Sequence, residues 1–150
     1  LIIMSIIFLA AIPLLFLLSD SRDQSVKEVE NKFGISFPKS VNRVRELYKE
    51  PDFHGDGEAA VLFSVDKADI KEIESSLKDY KVQNDGNVIS QISTCLNAVK
   101  KRGFDTSIDL NNEVYFKATS DNVFNNMYGN FIALIIDEEK GEILFLQWDT

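Results

Sequence analysis

One cysteine, one histidine and three prolines stand among the 150 residues, and each scarcity removes a class of function. A lone Cys95 leaves no internal disulfide framework and no C-x-x-C redox or zinc motif. With His54 the single imidazole, any Ser–His or Cys–His pair must use it, and no H-E-x-x-H zinc helix can form. Neither G-x-x-x-x-G-K-[ST] nor G-x-G-x-x-G occurs, which disfavours the common nucleotide and dinucleotide chemistries. Seven Gly, three Pro and 27% charged residues exclude collagenous, low-complexity and disordered chains. Basic residues are also short, 16 against 24 acidic, for a net charge of −8. That balance argues against a nucleic-acid partner or an anionic-lipid surface, because no basic excess exists to displace counterions from phosphates.

What is present begins with an apolar run. Leu1–Leu18, LIIMSIIFLAAIPLLFLL, carries no charge, and all basic and acidic residues follow it. Eighteen residues of helix span about 27 Å, close to the hydrocarbon core of a bilayer. This predicts an uncleaved single-pass anchor or signal segment over 1–18, a short linker over 19–24 and one domain over 25–150. Cleavage near Ser21, with Ser19 and Ser21 as the small residues, is the alternative and would give a secreted domain. A lipoprotein signal is out, since Cys95 is far from the run. Arg22, Lys27 and Lys32 follow the span and by themselves would put the domain in the cytoplasm, but the positive-inside comparison needs both flanks. The expected placement is the cell membrane, with the domain outside the cytoplasm.

The domain reads as α+β. Ser25–Phe33 is a short helix with Ser25 and Glu28 in capping-box spacing and Gly34 as its stop. Val41–Tyr48 fits either a helical stripe or an edge strand. Ala59–Val65 is a buried strand, and Asp66 is placed to cap a helix reaching about Lys78. The clearest helix runs from Asn87 to about Arg102, with Val88, Ile89, Ile92, Leu96 and Val99 on one stripe and Gly103 after it. Ser107–Leu110 and Glu113–Ala118 read as strands about a tight turn at Asn111-Asn112. Thr119–Asn130 reads as an Asn-rich loop, and Phe131–Ile136 with Glu142–Trp148 as a terminal hairpin. Helices grouped with a run of strands predict helices packed on a mainly antiparallel sheet ending in a β-hairpin.

The most suggestive chemistry lies in Asp52-Phe53-His54-Gly55-Asp56-Gly57-Glu58. In an extended chain Asp52, His54, Asp56 and Glu58 share a face, as period two dictates. They are the candidate ligand- or partner-binding residues, and His54 and Asp56 the candidate ligands of a divalent metal that could activate water. The bland alternative is a surface turn whose glycines supply positive φ. An EF-hand is rejected: His54 replaces an oxygen ligand and Phe63 stands where the bidentate Glu belongs. Cys95, beside Ile92 and Leu96, reads as a small buried hydrophobe rather than a nucleophile. Ser64-x-x-Lys67 and Ser75-x-x-Lys78 read as ordinary surface and strand-end strings. Tyr115, Phe116, Tyr128, Phe131, Phe145 and Trp148 read as sheet core before ligand groove. No catalytic residue and no resident cofactor are predicted, beyond the possible divalent metal.

Phe53-His54-Gly55-Asp56-Gly57-Glu58, then Asn130-Phe131 with Ile135-Ile136-Asp137 and the closing Trp148-Asp149-Thr150, together resemble the F-H-G-D-G-E loop and N-F…D-T hairpin of small Firmicute proteins. Phe37-Pro38 and Val114-Tyr115-Phe116 keep the same order. That group often carries a D-T-H-G before the loop, where Tyr48-Lys49-Glu50-Pro51-Asp52 stands here. No activity is established for the group, so the resemblance implies the architecture and an interest in the loop, and no reaction. The expected function is a membrane-tethered, non-enzymatic binding or accessory domain of the bacterial cell envelope. The alternatives are a metal-dependent hydrolase using Asp52–Glu58 and an immunity-type protein neutralising a toxin through its acidic face.

Overall fold

A computed structural model describes residues 22–48, 57–83, 85–119 and 129–149. Its elements are α1 Gln24–Phe33, β1 Asn42–Tyr48, β2 Gly57–Ser64, α2 Ile70–Ser76, α3 Gly86–Lys101, β3 Glu113–Ala118, β4 Phe131–Asp137 and β5 Glu142–Asp149. The five strands form one sheet in the order β1-β2-β5-β4-β3, every neighbour antiparallel. The α+β body with its terminal hairpin is therefore as expected. Among the described residues no helix is long and apolar enough to cross a membrane. The 1–18 segment lies outside the described residues.

Helices cover both faces of the sheet, and the sequence of β4 explains why. FIALIID is buried at every position, so both its faces need apolar cover. Ile132, Leu134 and Ile136 pack with Phe63, Phe145 and Tyr115 beneath α1 (Val26, Val29, Phe33) and α2 (Ile70, Ile73). Phe131, Ala133 and Ile135 turn the other way, with Leu62, Leu144 and Leu146, under α3 (Val88, Ile92, Leu96, Val99). Alternation at period two thus makes two cores from one sheet.

Several local expectations are corrected. The cap of α1 is Asp23, which accepts from the Ser25 amide at 2.8 Å; Ser25 is buried and donates to Glu46 at 3.0 Å. Asp can serve the same orphan amides as Ser, and here the earlier residue takes them. Val41–Tyr48 resolves to the edge strand β1, bulged where two residues oppose Leu62 between Arg43 and Arg45. The bulge leaves Val44 exposed and interrupts the free edge, as edge strands commonly do. Asp66 makes no side-chain cap, and the single helix expected after it is a 3-10 turn (Lys67–Asp69), the short α2 and a second 3-10 turn (Lys78–Tyr80).

Ser107–Leu110 forms no strand. Thr106 Oγ1 accepts from the Ile108 amide at 3.1 Å, and Asp109 accepts from the Asn111 amide at 2.9 Å. Such local bonds compete with a sheet ladder. The place beside β3 is taken instead by Lys81 and Val82, whose amide donates to Val114 O at 2.9 Å. The α3 helix is close to its expected span. Its cap is Asp85, accepting from Asn87 N at 3.0 Å and Val88 N at 3.2 Å. In the β4–β5 turn Gly141 has φ 68°, and a Cβ there would lie 2.7 Å from Val65 O. Glycine is required at that position on both counts.

Candidate functional site

Of the four candidate residues in Asp52–Glu58, Asp52, His54 and Asp56 lie outside the described residues. Glu58 sits on β2 facing α3. Its Oε2 accepts from Arg102 Nη1 at 2.9 Å, while Arg102 Nη2 donates to Tyr48 O at 3.3 Å. Arg102 caps the negative end of α3 and joins the last residue of β1 to the second residue of β2. Glu58 thus has a salt-bridge partner in Arg102. Among the described residues no group of three or more His, Cys, Asp or Glu is placed to hold a metal ion.

Cys95 is fully buried in the α3-side core, and its Sγ lies 3.7 Å from Gln147 O. Burial, with the Glu58 carboxylate a lesser cause, pushes its thiol up to about 12. It is the inert core cysteine expected, since a nucleophile needs the thiolate. Phe131, Phe145 and Tyr115 are core, and Phe116 and Trp148 pack partly buried against it. Tyr128 lies outside the described residues. Ser75 and Lys78 are exposed on the outside of the α2 region.

The strand register places Tyr48, Gly57, Ala118, Phe131 and Asp149 at one end of the sheet. The β1–β2 and β3–β4 connections therefore leave from the same end. On the α1 side of that end, an open cleft of about 410 Å³ is lined by Lys32, Lys117, Thr119, Ile132, Gln147 and Asp149. Lys32 closes α1, pairs with Glu28 at 3.1 Å, donates to Gln147 Oε1 and stands 5.9 Å over the Phe145 ring. Gln147 Nε2 donates to Asp149 at 2.5 Å. Lys117 donates to Lys32 O at 2.6 Å, satisfying a helix-end carbonyl, and lies 5.6 Å from the Tyr80 ring. Two ammoniums, a carboxylate and an amide in one cleft suit polar recognition, with remaining donors on each lysine.

Sequence reasoning missed this cleft. Its signal was polar residues two apart at the ends of apolar strands, Gln147 and Asp149 in EILFLQWD and Lys117 in EVYFKA. On a sheet buried on both faces, such positions mark where cover stops.

A second polar group lies at the opposite end. Burial, then the Glu138 carboxylate, holds Glu74 above the ordinary carboxyl range, and Tyr115 is its buried neighbour. Among the described residues Glu74 Oε1 is buried with no hydrogen-bond partner. Lys81 answers Glu113 instead, at 2.7 Å. Because Glu74 holds its proton more tightly folded than unfolded, stability rises as pH falls from neutral through its folded pKa, and levels off below the ordinary carboxyl range. Glu74→Gln is neutral and can donate to Glu138. It is expected to raise Tm at pH 7, with the difference shrinking as pH falls toward 4. Melts at the two pH values check this; a lower Tm at pH 7 would refute it.

Comparison with protein-family models, curated proteins and solved structures found no match.

Proposed function

We propose that this chain is a non-enzymatic binding or accessory domain, tethered to the bacterial cell membrane through residues 1–18, that engages a partner at the loop end of its sheet. The observation that carries the reading is the meeting of the β1–β2 connection, the β3–β4 connection and the Lys32–Lys117 cleft at one end of a rigid five-stranded sheet. Recognition surfaces are commonly built this way, on connections held by a scaffold. Burial of Cys95 takes the single thiol of the sequence out of nucleophilic chemistry. The uncharged apolar segment supports the tether, and the resemblance to small Firmicute proteins supports a bacterial setting.

Two measurements test it together. The full chain is expected to float with phosphatidylcholine vesicles, and a chain starting at Arg22 to stay in solution. Ca²⁺, Mn²⁺ and Zn²⁺ are each expected to leave Tm unchanged. A bound ion at a hundred times its Kd would contribute about 2.7 kcal/mol. A metal-specific rise of that order, abolished by Asp56→Asn, would overturn the reading in favour of a metal-dependent hydrolase.

A further inference from the structure

Arg22, the first described residue, is already built into the body. Its Nη2 donates to Phe37 O at 2.5 Å and Pro38 O at 2.9 Å, and its Nη1 pairs with Glu30. Glu30 Oε1 in turn accepts from the Phe37 amide at 2.6 Å. A planar guanidinium held by two carbonyls and a carboxylate is a fixed point of attachment.

The direction of α1 then locates that point. Asp23 pairs with Arg43 at 3.1 Å near the start of β1, Ser25 meets Glu46, and Glu28 accepts from Tyr48 at 3.4 Å near its end. Lys32 finally reaches Gln147 beside the cleft. So the chain enters at the end of the sheet where β1 begins, and α1 runs toward the cleft. Strands of seven or eight residues separate the two ends by roughly 25 Å. From Leu18 to Arg22 there are four Cα steps, which reach no more than about 14 Å.

We propose that the body stands on the bilayer by its Arg22–Pro38 corner and holds the Lys32–Lys117 cleft at the far end, away from the lipid headgroups. The proposal rests on the tethered reading above and adds an orientation to it. Glu138 and Glu139 in the β4–β5 turn lie at the same end as Arg22, so short attachment, not attraction to anionic lipid, sets the orientation.

The test uses the full chain in phosphatidylcholine vesicles containing a headgroup-bound quencher. Single fluorophores are attached at Lys39→Cys, exposed beside Pro38, and at Thr119→Cys, exposed at the cleft. Quenching is expected to be several-fold stronger at position 39 than at 119, and Arg22→Ala is expected to bring the two closer together. Equal quenching, or stronger quenching at 119, with co-flotation intact would overturn the orientation and leave the tether standing. Loss of co-flotation would remove both.

Discussion

Phe145→Ala is expected to lower the unfolding free energy by about 3–5 kcal/mol, a loss typical of truncating a large, fully buried core side chain. Phe145 is 1% exposed on β5, the middle strand, with Val61 on one side and Leu134 on the other. It belongs to the core under α1 and α2, and the Lys32 ammonium stands over its ring. Truncation removes the ring's transfer free energy and leaves a void that five paired strands cannot close. Against a total of about 5–15 kcal/mol for a domain, this is a large fraction. Urea unfolding should show a lower midpoint with an unchanged slope. Val44→Ala is the matched control: Val44 is 56% exposed at the β1 bulge and its loss should stay within about 0.5 kcal/mol. A cost at Phe145 below that of the control would contradict the assignment of β5 as the central strand.

Alkaline pH should expose Cys95 as a burden on the fold. Its thiol is pushed up to about 12 in the folded protein, from an ordinary value of 9.0. Between those values the unfolded chain loses the proton and the folded one keeps it. Stability therefore falls as pH rises, by about 1.4 kcal/mol per pH unit, and is unaffected below the ordinary value. Tyr115, raised by burial first and by Glu74 next, acts in the same direction. Cys95→Ala removes the thiol's share, so its stability should decline less steeply above pH 9. At pH 8 a thiolate-directed reagent should modify wild-type Cys95 only as fast as the protein unfolds. Rapid labelling of folded protein, or parallel decline of both proteins, would show that Cys95 is accessible.

Much of this architecture was legible because its signals are local. The α3 stripe of Val88, Ile92, Leu96 and Val99 has a period that only a helix satisfies, and Gly103 with φ 90° stops it. The β4–β5 hairpin was legible from two apolar runs around a polar turn ending in Gly141. Where the reading failed, neighbours decided. Ser25 and Asp23 are both able caps, and the choice between them follows from Ser25 being drawn to Glu46 on β1. Residues 107–110 have strand-like composition, yet the place beside β3 goes to Lys81–Val82.

The candidate site divides the same way. The Asp52–Glu58 loop is a run of residues and could be read directly, but Glu58's engagement by Arg102 joins positions far apart in the chain. The Lys32–Lys117–Gln147–Asp149 cleft draws on α1, β3 and β5, and no window of sequence contains it.

By itself, the sequence determined the elements with strong periodicity, the excess of acid, the absence of a disulfide framework and the apolar segment that predicts a tether. Each depends on residue type and near spacing, which covalent geometry turns directly into a helix face or a strand face. Only the tertiary structure decided that the last strand sits in the middle of the sheet between β2 and β4. It also set helices on both faces, and the attachment of Arg22 and the cleft at opposite ends. These follow from long-range pairing, whose register is chosen by burying two apolar faces at once.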